Sequence, residues 1–332
     1  MTLPDSSVLK SNKLTYPVNM VTEMYSLPAY DGIDPNPLIL PFFALFFGIM
    51  YADLGYVIVL IILGLVAQKL FQPRGMIRQM MGLMVICGVT TAVMGFAFGG
   101  FFGDVLKVVY TEFLGVPEAQ FPAWLTWFNN GPLFNPMNEP MKMMAFALIL
   151  GAVQIITSQC IHIYMGFRDG TGWDAVLDVV PWWVFFAGIA HMVLKGGYTG
   201  LIIGVLALVL TQGRHEKNLF LKLFGGIKSL YGVTNYLSDI LSYLRLMALV
   251  LATSVIASVV NLLGAMTGLI GFIVIFLIGH AFNMSVNIIG TYVHAARLQY
   301  LEYFSRFYKE GGRPFDPLKI DTDYVDIAKK EE

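Results

Sequence analysis

Ser238-Asp239-Ile240-Leu241-Ser242-Tyr243-Leu244-Arg245-Leu246-Met247-Ala248-Leu249 sets an arginine in a run that stays mostly apolar up to Leu263. A second arginine stands in His294-Ala295-Ala296-Arg297-Leu298-Gln299-Tyr300, at the end of another long apolar run. Runs of this length and character read as membrane-crossing helices. A charged side chain at the bilayer centre costs roughly 2.5–3.5 kcal/mol on insertion scales. Such a residue faces protein or water and needs an anionic partner. The two runs therefore set both the fold class, an all-α polytopic membrane protein, and the question of what Arg245 and Arg297 face.

The rest of the chain agrees. Of its 332 residues 57% are apolar types and 13% are charged, half the charged share of an ordinary soluble domain. Mean hydropathy is +0.68. A net charge of −1, with no basic face or basic aromatic motif, excludes nucleic acid as a partner. The polar stretch Met1–Asn36 has no terminal apolar core of a cleavable signal, so insertion is expected to begin at an internal span. The block Leu38–Leu70 is long for one span and short for two. Asp53-Leu54-Gly55 in its middle reads as a turn, giving spans Leu38–Tyr51 and Tyr56–Leu70. Further spans are expected at Ile77–Phe101, Met143–Met165, Val176–Leu194, Tyr198–Leu210, Tyr236–Leu263 and Leu269–Phe304. Between the third and fourth, Val108–Pro140 reads as an ordered interfacial loop anchored by Trp124 and Trp127.

Basic residues orient this eight-span arrangement. With the N-terminus in the cytoplasm, 16 Lys and Arg fall on cytoplasmic segments. Only Lys107, Lys142 and Lys195 fall outside, and Arg245 and Arg297 stay within the membrane. The positive-inside rule prefers this topology, with both termini cytoplasmic. The alternative of seven spans, with one helix through the first block, needs the N-terminus outside. The expected division is a cytoplasmic N-terminal segment 1–36, a transmembrane domain 37–308 and a cytoplasmic tail 309–332. Leu219–Asn235 reads as an amphipathic lead-in to the seventh span.

Within the chain, Asp239 lies six residues before Arg245 and Glu302 five after Arg297. Neither spacing puts the pair on one helix face, so each arginine either snorkels, pairs elsewhere in the chain, or meets a carboxylate from another subunit. Arginine suits the last role because it stays protonated and lowers the pKa of a nearby carboxylate. Asn235, Ser238, Ser242, Thr253, Ser254 and Ser258 add polarity to the seventh span, and His280 and Ser285 to the eighth. Asn283, Asn287, Thr291 and His294 follow a 4-4-3 spacing that puts them on one stripe. Such a stripe is either interhelical glue or the wall of a hydrated path.

Other features read as structural. Asp53, Asp104, Asp174 and Asp178 fall near span ends and are expected to be solvated. Gln154, Ser158 and His162 suit interhelical hydrogen bonds, and Phe42, Phe43, Phe46 and Phe47 lipid or helix packing. Cys87 and Cys160 lie in apolar spans as packing residues. No P-loop, zinc-protease or nucleophile-elbow motif occurs, and no cofactor is expected.

The two arginine motifs resemble the seventh- and eighth-helix signatures of the membrane half of subunit a, called subunit I in prokaryotes, of V-type and V/A-type rotary ATPases. The eighth-helix likeness continues through Leu301-Glu302-Tyr303-Phe304, Phe307-Tyr308 and Gly311-Gly312-Arg313-Pro314-Phe315-Asp316-Pro317. Glu23–Pro35, followed by Pro41-Phe42-Phe43-Ala44-Leu45-Phe46-Phe47-Gly48, is similar to the start of that family's membrane domain. The resemblance implies eight helices, the last two long and tilted, in a non-catalytic stator in a prokaryotic cell membrane. It implies a rotating proteolipid ring (the c or K ring) as partner, with peripheral and central stalk subunits in the full complex. Ring carboxylates carrying H+ or Na+ would pass Arg245 and Arg297 between two half-channels. The expected ion pathway also includes Asp239, Ser242, Thr253, Asn283, Asn287, Thr291, His294 and Glu302. Full-length members carry a large cytoplasmic N-terminal half, so this chain is expected to represent the membrane part. Some relatives have glutamate where Asn287 stands and histidine where Thr253 stands, which puts a proton relay there in doubt and leaves Na+ open. The competing readings are a self-contained secondary transporter, which needs a coupling acid in mid-span, and a structural scaffold, which leaves both arginines unexplained.

Overall fold

In lipid every backbone N–H and C=O must be satisfied within the protein, by helices or closed barrels. Long unbroken runs of Leu, Ile, Val, Ala and Phe, lacking the alternation of barrel strands, select helix. The computed structural model follows that rule. It describes residues 6–7, 12, 14–29, 32–71, 75–212 and 231–314. A short helix α1 (Asn19–Tyr25) precedes α2 (Asn36–Met50), α3 (Leu54–Phe71) and α4 (Gly75–Phe98). A one-turn α5 (Val105–Val108) and α6 (Ala123–Asn129) lie in the long connection to α7 (Pro140–Arg168), α8 (Gly172–Lys195) and α9 (Thr199–Gln212). The last pair begins with α10 (Gly232–Ser242) and α11 (Leu244–Ala265), which together form the seventh expected span, followed by α12 (Gly268–Arg297). A π-helical turn, Leu298–Tyr303, and a 3-10 turn, Phe304–Arg306, extend α12.

Among the described residues five helices are long and apolar enough to cross a membrane: Gly75–Phe98, Pro140–Arg168, Gly172–Met192, Gly232–Ala265 and Gly268–Arg306. Three shorter apolar helices, Asn36–Met50, Leu54–Val66 and Thr199–Thr211, match the remaining expected spans in position. The part of the proposed lead-in before Tyr231 and the tail beyond Pro314 lie outside the described residues.

The break between α2 and α3 falls at Asp53, as the sequence suggests, but the acid there is not solvated. Asp53 is 4% exposed. Its Oδ1 accepts N–H bonds from Gly55 (2.9 Å), Tyr56 (3.1 Å) and Phe102 (2.8 Å), and its Oδ2 accepts one from Gly103 (2.7 Å). The cause is the Gly99–Asp104 loop, which folds back over the helix break. Gly99, Phe102 and Gly103 take positive φ there, turning the Phe102 and Gly103 amides onto the carboxylate. The charge thus caps α3 and pins that loop. Asp104 is partly buried and accepts a bond from Asn261.

Phe43, Phe46 and Phe47 are fully buried, so that run packs helices. Cys87 is buried, whereas Cys160 lies on an exposed helix face. At the opposite end from the Asp53 loop, three short strands join the two ends of the described chain. Strand β3 (Glu310–Pro314) pairs in parallel with β1 (Ser6–Ser7) and antiparallel with β2 (Leu27–Pro28).

Candidate ion-pathway site

Helices α11 and α12 pack side by side as an antiparallel pair. Arg245 is the second residue of α11 and Arg297 the last of α12, so the antiparallel crossing brings both to one level. The two guanidinium groups and His294 lie within electrostatic reach of one another.

Arg245 is half-buried, and its Nη2 lies 3.7 Å from Oε1 of Glu302 on the π-turn. Glu302 is 3% exposed, and Ser242 stands against the same carboxylate. Of the alternatives that spacing leaves open, pairing elsewhere in the chain therefore holds for Arg245. Spacing along one helix cannot show a partner supplied by the antiparallel neighbour. Asp239 is not that partner. It pairs with Arg306, whose guanidinium also lies 4.1 Å over the Tyr236 ring.

Arg297 differs. It is exposed, and among the described residues no acidic group pairs with it. It continues an exposed stripe on α12 and its extension formed by Ile278, Phe282, Val286, Ile289, Val293 and Leu301. One permanent charge thus interrupts an apolar outward face.

The opposite face of α12 carries the expected polar stripe, and Asn283, Asn287 and Thr291 are buried there. Asn287 Nδ2 donates to the Asn283 side-chain and backbone oxygens. Asn283 Nδ2 donates to the Tyr56 hydroxyl at 2.7 Å and the Thr253 carbonyl at 3.2 Å. Tyr56 meets His280 Nδ1 at 2.7 Å, and His280 Nε2 meets Asn261 Oδ1 at 2.9 Å. Asn261 Nδ2 donates to Asp104 Oδ1 at 3.0 Å and to the Phe102 carbonyl at 2.8 Å. Thr253 returns its own hydroxyl to the Leu249 carbonyl. Sequence reading missed Tyr56 and Asn261. A tyrosine at a helix start and an asparagine in an apolar run carry no spacing signal, because their partners are far away in the chain.

Toward Arg297 that satisfaction ends. Thr291 Oγ1, His294 Nδ1, Gln299 Nε2, Glu302 Oε2, Tyr303 OH and Arg245 Nη1 are all shielded, and none has a hydrogen-bond partner among the described residues. Buried polar atoms are nearly always paired with protein or water, so this cluster stands apart from the satisfied stripe beside it. Gln154 borders it, accepting from the Tyr243 hydroxyl (2.7 Å) and donating to Gln299 Oε1 (2.8 Å).

Two openings flank the site. A cavity of about 430 Å3 at the Asp53-loop end is lined by Asp104, Lys107, Glu118, four asparagines and, on α11, Val250, Ser254 and Ser258. At the other end an open groove of about 590 Å3 runs along Thr234, Ser238 and Ser242 to Arg245.

No protein-family profile matches the chain. Individual relatives do. It is 33% identical to the A-type ATP synthase subunit I of Methanocaldococcus jannaschii, over 96% of this chain and 49% of the relative. It is 31% identical to the A-type ATP synthase subunit I of Thermococcus kodakarensis, over 94% of this chain and 47% of the relative. The V-type ATP synthase subunit I of Chlamydia pneumoniae is 26% identical, over 90% of this chain and 53% of the relative. The chain spans about half the length of the curated relatives it matches. With five apolar helices long enough to cross a membrane and a likeness that runs along nearly all of its length, the chain belongs to the subunit I family of A-type and V-type ATP synthases.

Proposed function

We propose that this chain is the ion-translocating, non-catalytic stator part of a rotary ATPase membrane sector, working against a ring of carboxylate-bearing proteolipids. The carrying observation is Arg297, exposed on an apolar face with no acidic partner among the described residues. Lipid is a costly neighbour for a guanidinium, whereas a carboxylate arriving on another subunit would relieve that cost and release its ion beside the arginine. Arg245, held by Glu302, supplies the second positive charge at the same level. H+ and Na+ both suit this chemistry.

The polar cavity at the Asp53-loop end would serve as the external half-channel and the groove leading to Arg245 as the cytoplasmic one. Ser254 and Ser258 carry the cavity down α11 toward Arg245. An even number of spans is supported by the small sheet, which joins Ser6–Ser7 to Glu310–Pro314 on one side. With the basic residues counted from the sequence, this favours eight spans and cytoplasmic termini. The polar stripe of Asn283, Asn287 and Thr291 then lies behind the ring-facing surface.

The test is ATP-driven ion uptake by the complete complex in vesicles, with and without Na+. Arg297→Ala is expected to reduce coupled uptake to background while ATP hydrolysis by the soluble sector persists. Retained coupled uptake would sink the proposal.

A further inference from the structure

The two halves of α12 differ in how their buried polar atoms are served. In the half toward the Asp53 loop, six side chains form one continuous hydrogen-bonded series: Asn287, Asn283, Tyr56, His280, Asn261 and Asp104. The direction of every bond is determined. Asn261 Nδ2 faces two acceptors, the Asp104 carboxylate and the Phe102 carbonyl, so its Oδ1 must accept from His280 Nε2–H. His280 Nδ1 is then bare and accepts the Tyr56 hydroxyl proton, while the Tyr56 oxygen accepts from Asn283. Asn283 Oδ1 in turn accepts from Asn287. All five donors point the same way and end on an anion.

A proton cannot travel such a series. To pass one along, each member must accept on one side and release on the other. Tyr56 and His280 can do so, but primary amides stand on both sides of them and neither bind nor release protons in the accessible pH range. With the donors and acceptors of Asn283, Tyr56, His280 and Asn261 already used, water has little to bind along the middle of the series. In the other half, beginning one turn further along at Thr291, shielded polar atoms stand without partners.

We propose that the Asn287–Asp104 series is an insulating lock, in which His280 and Tyr56 act as positioning residues. It keeps the loop-side half of the polar stripe dry and impassable to protons, and it sets the end of the water-reachable region between Asn287 and Thr291. The stripe is then not a second route to the external cavity. Ions coming from that cavity follow the Ser254–Ser258 face of α11 instead. The lock takes its purpose from the ion-conducting reading above, but its test does not depend on transport.

The test is labelling by a membrane-impermeant methanethiosulfonate, applied from the Arg306 side to the assembled complex with Cys87 and Cys160 replaced. Thr291→Cys is expected to react, and Asn287→Cys to react about tenfold or more slowly. Adding His280→Phe or Tyr56→Phe should raise the Asn287→Cys rate to that of Thr291→Cys. His280→Gln, which can still accept from Tyr56 and donate to Asn261, should keep it slow, a rescue that loss of packing alone would not give. Equal rates at the two positions with Tyr56 and His280 unchanged, fast or slow, overturn the lock. So does a slow Asn287→Cys rate that persists in both Phe variants. If His280→Phe prevents assembly, Tyr56→Phe, which removes a single oxygen, decides. Failure of the stator reading would show separately, as coupled uptake surviving Arg297→Ala.

Discussion

The ends of the paired helices α11 and α12 obey opposite rules. At the Asp53-loop end a buried carboxylate takes four backbone N–H bonds, and the polar side chains beside it close into a satisfied network. At the Arg297 end, among the described residues, Arg297 has no acidic partner and several shielded polar atoms have no hydrogen-bond partner. In a low-dielectric interior a satisfied network rigidifies, while an incomplete one is costly unless something else completes it. The first end is therefore built to hold still. The second leaves polar groups open, and under the proposed function it is where a moving carboxylate would be met.

The contrast breaks most visibly at Asp53. Asp53→Ala leaves four N–H groups without their acceptor, and each buried donor so orphaned costs roughly 1–3 kcal/mol. A loss of about 3 kcal/mol or more is expected, seen as a lower melting temperature of the solubilised protein and poor assembly. Asp53→Asn keeps an oxygen for part of the set and should fall between. An unchanged melting temperature in Asp53→Ala would show that the loop is held by something other than this carboxylate.

The joint between the two ends comes next. Tyr243 separates α10 from α11, is fully buried, and hydrogen-bonds Gln154, which in turn holds Gln299. A Cβ on Gly151 would meet the Tyr243 ring at 2.4 Å. Gly151→Ala should therefore cost about 1–3 kcal/mol of overpacking, read as a lower melting temperature. A thermally silent substitution would mean that α7 and the α10–α11 joint can slide apart freely.

At the charged end, Glu302→Gln removes the carboxylate beside Arg245. Because Arg245 is partly exposed, the expected penalty is discounted to about 1–2 kcal/mol, or roughly tenfold in the initial rate of ATP-driven uptake. Asp239→Asn, which touches Arg306 instead, should change that rate far less. Equal losses in the two variants would erase the distinction between a site carboxylate and a structural one.

These residues also show what the sequence could and could not reveal. The membrane class, the helix break at Asp53 and the positions of the long helices follow from apolar run length and an acid two residues before a glycine, all local signals. The 4-4-3 spacing correctly put Asn283, Asn287 and Thr291 on one buried face. Partners were less legible. Glu302 stands 57 residues from Arg245 and Tyr56 224 from His280, and only the packing of separate helices brings them together. The solvated reading of Asp53 failed for the same reason. Its ligands include amides some fifty residues away, aimed by a loop conformation that one-dimensional patterning does not encode.

The smallest expected effect lies outside the membrane, in the turn between α7 and α8. Asp169 accepts from Lys309 Nζ at 2.8 Å and Arg168 Nε at 3.0 Å. The Lys309 hydrogen bond first, then the Arg168 one, holds its carboxyl below the usual carboxylate range. A group whose folded pKa is depressed stabilises the fold above its unfolded pKa, about 3.9 for aspartate. That stabilisation is lost as the pH falls through the lower folded value. The melting-temperature difference between wild type and Asp169→Asn should thus be small and flat from neutral pH to about 5. It should shrink through about pH 4, and added salt should narrow it throughout because the pair is exposed. A difference that grows on acidification would reverse the sign of this linkage. It would mean that Lys309 and Arg168 destabilise the turn.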